Sequence, residues 1–236
     1  MKKYILIAAT VIMAFAAKAQ VNNLPLIGNK FTFGIDGGLA IPSSDYGSTS
    51  TSSSSSNANG FAKMGFCYDA YAGFKFSKLI GAMVQYGASM NSFNTSDLGS
   101  NYSSSGGYTV TSYLVGPYMS ITLLKIKIEA KLLGGLVSSN YPTLTESTSF
   151  AGVSSSVVSS FSTGSSFGYC AGAKIKYMMI GGMLGIGLGL DYLGSDVSFK
   201  GTNTETVPGL PPSTTSTNPK MSIGILQATL GLSLDI

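Results

Sequence analysis

The sequence predicts an all-β fold: an eight-stranded antiparallel up-and-down transmembrane β-barrel with four long extracellular loops and short periplasmic turns. Three observations predict it. Eight segments alternate apolar and polar residues with the period of a strand that has one buried face. Their connections alternate in length, with long Ser/Thr-rich stretches after the first, third, fifth and seventh and tight turns after the second, fourth and sixth. A membrane barrel with one end outside the cell and the other in a periplasm has this asymmetry. Finally, charged residues make up only 10% of the chain, against roughly 25% in soluble domains. Beyond the N-terminus, however, no apolar run reaches the ~18 residues of a helical span. An apolar envelope chain without such helices satisfies its backbone in a closed barrel.

The N-terminus is set aside first. Lys2 and Lys3 precede an apolar run from Tyr4 to Ala17, and Ala17-Lys18-Ala19 reads as a small-x-small cleavage site. Residues 1–19 are therefore expected to be a signal peptide, 20–28 a short periplasmic lead and 29–236 the outer-membrane barrel domain. No Cys follows the cleavage site to carry a lipid anchor. Removing the signal takes three of the 14 lysines and leaves 11 against 10 carboxylates, a net charge of +1. The pI of 8.9 thus owes much to the signal, and no nucleic-acid partner is indicated.

The first strand spans about Asn29 to Ile41, with Phe31, Phe33, Ile35, Leu39 and Ile41 on one face and Asp36 on the other. The second, Phe61 to Phe76, sets Ala62, Met64, Phe66, Tyr68, Phe74 and Phe76 against Lys63, Cys67, Asp69 and Lys75. Ser77-Lys78 turns the chain into the third, Leu79 to Met90. The fourth, Tyr108 to Leu124, holds Pro117, which cannot donate to a ladder and predicts a local irregularity. After a minimal turn at Lys125, the fifth sets Ile126, Ile128, Ala130 and Leu132 against Lys127, Glu129 and Lys131. The sixth, Phe167 to Met178, sets Phe167, Tyr169, Ile175 and Tyr177 against Cys170, Lys174 and Lys176. A Gly181-Gly182 turn leads to the seventh, Met183 to Tyr192, where Leu184, Ile186, Leu188 and Leu190 oppose Gly185, Gly187, Gly189 and Asp191. The eighth ends the chain. Its first half (Met221, Ile223, Ile225) is out of phase with Leu226 to Ile236, which predicts a bulge near Ile225-Leu226.

The long connections are 42–60, 91–107, 138–166 and 193–219. Their Ser/Thr- and Pro-rich composition buries little apolar surface and predicts mobile loops.

The apolar face is assigned to lipid. A soluble barrel would carry its charges outside, and these charges are too few to solvate eight strands. The glycines fall on the opposite face, where a crowded interior needs room. Phe31, Phe74, Phe76 and Tyr177 lie near short-turn ends and Phe61, Phe167, Tyr169 and Tyr192 near long-loop ends, as two interfacial girdles would. This pattern, over residues 29–236, resembles the small eight-stranded outer-membrane β-barrels of Gram-negative bacteria, typified by the OmpA transmembrane domain and porin-like in their closure. The signal ending before Gln20 is similar to exported proteins of the Bacteroidetes group. The resemblance implies location in the cell outer membrane, with membrane lipid and, during insertion, the barrel assembly machinery as partners. Family members commonly end in an aromatic residue read by that machinery; this chain ends in Ile236 with the apolar phase kept.

The chemistry points away from catalysis. Barrel enzymes of this size usually rely on His as acid–base residue, and the chain has no His; it also lacks Arg and Trp. No cofactor, phosphate loop or metal-ligand cluster is indicated. Instead Asp36, Lys63, Asp69, Lys75, Lys127, Glu129, Lys131, Lys174, Lys176 and Asp191, with Asp235, fall on the inward face and form a predicted lumen charge network, Glu129 pairing with Lys174 or alternatively Lys176. Charges held away from water need partners, which is a simpler account than an ion path. Cys67 and Cys170 also face inward, but on opposite walls. A disulfide needs Cα atoms within about 7 Å, so two free thiols are expected. The function expected is non-enzymatic: a structural or surface-interaction role through the Ser/Thr-rich loops, the alternative being a narrow channel for small solutes or ions.

Overall fold

A computed structural model describes residues 30–49, 59–150, 153–179 and 182–236. The signal segment, the periplasmic lead, most of the Ser48–Ser56 tract and Gly181 lie outside the described residues.

Eight strands close a barrel: β1 (Phe31–Ser43), β2 (Gly65–Lys75), β3 (Ile80–Asn91), β5 (Tyr108–Leu123), β6 (Ile126–Ser139), β9 (Gly164–Met179), β10 (Leu184–Ser198) and β13 (Lys220–Asp235). Each pairs with its neighbour in the chain's barrel order, and β1 meets β13 from Thr32↔Asp235 to Ser43↔Gly224. The alternation read from the sequence fixes the faces. Ile35, Leu188, Leu230 and Val84 project outward and are more than half exposed, an apolar surface that water would not tolerate on this scale. The two girdles are present, with Phe31, Phe74, Phe76 and Tyr177 at the short-turn end and Phe167 and Tyr169 toward the long-loop end, all exposed.

The long connections are not the featureless loops their composition predicts. They contribute β4 (Tyr102–Ser105), β7 (Thr143–Phe150), β8 (Val153–Phe161), β11 (Gly201–Thr206) and β12 (Ser213–Thr217), which pair as a second sheet in the order β12-β11-β8-β7-β4. The first connection adds a single helical turn, α1 (Ser44–Gly47). Several barrel strands also run on past their predicted ends. About 9–11 residues cross a bilayer, whereas β9, β10 and β13 have 16, 15 and 16 and carry the barrel wall beyond that thickness.

Of the two predicted irregularities, one is absent and the other is a local gap in one ladder. On β13 the registers with β1 and β10 run unbroken through Ile225 and Leu226, so there is no bulge. Met221, Ile223 and Ile225 face the interior on the same phase as Gln227, Thr229 and Ser233. What changes is the interior itself, polar below and apolar above. At Pro117 the register is also kept; only the pairings of Gly116 and Pro117 with β6 drop out, as a residue without N–H requires.

Phe61 N–H donates to the Ser48 carbonyl and Gly60 N–H to the Asp45 carbonyl, so the first long connection is pinched shut at its base. Replacing residues 50–58 by Gly-Gly should therefore leave the barrel folded, since shortening an already closed loop changes closure entropy little. Heat-modifiable gel mobility checks this; loss of the compact band would show that the removed residues pack on the barrel.

Candidate functional site

The barrel interior has two storeys. The lower one holds a network in which four lysines are paired with carboxylates. Lys127 Nζ lies 2.9 Å from Glu129 Oε1 and 2.9 Å from Asp235 Oδ1, and Lys176 Nζ lies 2.7 Å from Glu129 Oε2. Lys131 Nζ lies 2.8 Å from Asp191 Oδ2 and donates to Gln85 Oε1 at 2.8 Å. Lys174 crosses the lumen to Asp36 and lies 4.3 Å above the Tyr71 ring. Glu129 thus pairs with Lys176 and not with Lys174, although Glu129 and Lys174 are register partners on β6 and β9. A long lysine stem reaches the far wall, and the nearer Cα does not decide the pair.

The glycines of β10 make room for these stems. A Cβ at Gly187 would stand 2.9 Å from Lys176 Cγ, and one at Gly189 would stand 3.2 Å from Lys174 Cε. Three of the predicted residues behave differently from the rest. Lys63 is exposed and precedes β2, in a segment bridged to Phe93 at Ala62 and with its own N–H donating to the Ser92 carbonyl, so it lies outside the lumen. Ala62 and Phe61 are likewise buried in that segment and do not face lipid. Asp69 is inward and buried, but it makes no ion pair among the described residues and faces Asp36 across β1–β2. Lys75 sits half-buried at the foot of the lumen without an ion pair among the described residues. With Lys75 and Asp69 the lumen holds five lysines and five carboxylates. The void among Tyr71, Met83, Tyr118, Glu129, Lys131 and Lys174 is about 10 Å³, room for about one water.

The upper storey is apolar and is filled from the long connections. Tyr46 of α1 packs edge-on against Tyr108 with centroids 4.9 Å apart; Tyr108 meets Tyr141 at 5.3 Å, and Tyr141 meets Phe199 at 5.4 Å. Phe61, Phe93, Val110, Val137, Met221 and Ile223 complete the packing, all buried. Its polar atoms are partnered: Tyr46 Oη donates to Asn91 Oδ1 at 3.1 Å, Asn91 Nδ2 to the Ala40 and Lys63 carbonyls, and Tyr108 Oη to the Gly60 carbonyl at 2.7 Å. Burial pushes the Tyr46 phenol well above its ordinary value, so this hydroxyl stays a donor. Sequence reasoning missed the plug; its signal was the aromatic residues stranded in otherwise Ser/Thr-rich connections.

Above the plug stands the second sheet, and its faces differ. One carries Leu144 and Phe161, which pack on the plug. The other carries Ser103 and Ser105 on β4, Thr143, Thr145, Ser147 and Ser149 on β7, and Ser154, Ser156, Val158 and Ser160 on β8. It continues with Thr202, Thr204 and Thr206 on β11 and Thr214 and Ser216 on β12. Ser103, Thr145, Val158, Thr204 and Thr214 form one row across all five strands, with neighbours about 4.8 Å apart. Val158 is the one member of this face without a hydroxyl, and none of its members is charged or aromatic.

Cys67 on β2 and Cys170 on β9 are free and buried, with four strand steps between them either way round the barrel. Alkylation under non-reducing conditions should find two reactive thiols after denaturation and none before it. A mass showing both blocked within one chain would overturn this arrangement.

No family model matches the chain, and no curated protein matches it. Among solved structures it is similar to Neisserial surface protein A, at 14% identity and TM-score 0.50, covering 87% of this chain and 97% of that one. It is also similar to Ail, the attachment invasion locus protein of Yersinia pestis (10%, TM-score 0.44, 88% and 100%), and to a major outer membrane protein of Thermus thermophilus (12%, TM-score 0.42, 87% and 99%). At these identities the likeness is one of fold alone.

Proposed function

We propose that the chain is a non-enzymatic outer-membrane barrel whose Ser/Thr-rich sheet is an interaction surface on the cell exterior. The observation that carries this reading is the hydroxyl face of the second sheet, turned away from the plug and placed at the end where the long connections gather. Each hydroxyl both donates and accepts, and the face has no charge, so the partners it suits are uncharged, hydrogen-bonding surfaces. The apolar outer wall of the barrel supports the membrane location. Catalysis has little to draw on: there is no His, and four of the lumen lysines are held by carboxylates. The packed lower lumen and the aromatic plug both argue against a channel.

Cells displaying the protein are compared with cells displaying Thr145→Asp/Thr204→Asp/Thr202→Asp, for retention on neutral polysaccharide and protein coats. The wild type should be retained on at least one coat and the triple variant released. Equal retention of both, or discrete openings of the purified protein in planar bilayers, would overturn the reading.

A further inference from the structure

The exposed charges of this barrel are sorted by end. All ten Asp and Glu side chains are described, and none is exposed at the short-turn end: Asp36, Asp69, Glu129, Asp191 and, at the foot of the barrel, Asp235 are buried in the lumen, and the other five lie in or beside the long connections. Lysines divide otherwise. Lys30 at the foot of β1, Lys78 between β2 and β3, and Lys125 between β5 and β6 are all exposed at the short-turn end. In the barrel order β1, β2, β3, β5 and β6 are successive neighbours, so the three lysines make one unbroken basic arc. The opposite end mixes Lys63, Lys200 and Lys220 with five carboxylates.

A second observation falls in the same arc. Leu124 has φ 57° and is fully exposed. A left-handed turn position is filled with least strain by Gly or Asn, and a leucine in water there helps neither the turn nor the fold. Leu123 and Ile126 beside it, and Phe76 at the β2–β3 turn of the same arc, are also exposed. Apolar tips interleaved with lysines suit the boundary between acyl chains and headgroups, where lysine stems lie along the apolar layer and the ammonium reaches out.

We propose that this arc docks on the anionic phospholipid headgroups of the leaflet at the short-turn end, with Lys30, Lys78 and Lys125 at the phosphates and Leu124 and Phe76 in the acyl boundary. The proposal rests on the membrane reading above. Each lysine near an anionic surface adds to the attraction, which falls with ionic strength.

The test uses the full folded protein in phosphatidylcholine vesicles carrying spin-labelled phosphatidylglycerol or spin-labelled phosphatidylcholine, and reads the ratio of their association with the protein. The wild type should favour the anionic lipid several-fold and lose the preference in high salt. Lys30→Gln/Lys78→Gln/Lys125→Gln should bring the ratio to one, while Lys63→Gln/Lys200→Gln/Lys220→Gln should leave it unchanged. Equal association by inserted wild-type protein, or a preference that survives the short-turn substitutions, overturns the arc. A chain that never acquires heat-modifiable mobility in vesicles overturns the membrane reading, and the arc with it.

Discussion

Glu129→Gln is expected to destabilise the folded barrel by about 3–5 kcal/mol, the range for breaking a buried ion pair by removing one partner. Glu129 holds two ammonium groups at once, Lys127 at 2.9 Å and Lys176 at 2.7 Å. Lys127 would keep Asp235, but Lys176, 1% exposed, has no other carboxylate within ion-pair distance among the described residues. The cost is mainly that of a stranded charge. Glu129→Gln combined with Lys176→Met should therefore recover most of it, since removing both charges removes the desolvation penalty as well. Asp69→Asn, which breaks no ion pair, should cost far less. Urea unfolding in vesicles, followed by gel mobility, measures all three. Simple additivity in the double variant would argue against the Glu129–Lys176 contact.

Leu188→Lys should cost about 2–4 kcal/mol, the penalty for a lysine on the lipid face near mid-bilayer. Leu188 lies between the outward-facing Ile186 and Leu190 in the apolar stretch of β10 and is 67% exposed. Its neighbour Gly187 faces the lumen, where any Cβ meets Lys176 Cγ at 2.9 Å. Gly187→Lys should thus fail for a different reason, crowding together with an added positive charge beside Lys174 and Lys176. Labelling separates the two positions independently of stability. Leu188→Cys should resist a hydrophilic thiol reagent in intact membranes, and free labelling there would reverse the facing of β10.

The barrel wall is legible because lipid and a polar lumen impose opposite demands on alternate residues, and β10 writes that demand as Leu-Gly-Ile-Gly-Leu-Gly-Leu. Legibility ends where the environment stops being two-sided. Thr202, Thr204 and Thr206 alternate with Asn203 and Glu205, so β11 has no apolar phase to betray it, and the same holds for β4 and β12. At Met221–Ile225 the inward face turns apolar because it meets the plug; a change of neighbour there imitates a change of register. Extending the β2 alternation back through Phe61 misplaces Lys63, because the chain at Phe61 has φ 49° and is not a strand. Pairings within the charge network are only partly accessible, because partners such as Lys174 and Asp36 sit on strands that are not adjacent and meet across the lumen.

The seam between β1 and β13 gives the barrel a required order of events. Thr32 is paired with Asp235, so the first and last strands cannot join until nearly the whole chain is in place, and contacts of such sequence separation form slowly. Until then β1 and β13 each present an open row of N–H and C=O groups, an invitation to pair with other chains. The vulnerable species is therefore the nearly complete, unclosed barrel, and a chaperone or assembly surface that shelters those two edges would shorten its lifetime.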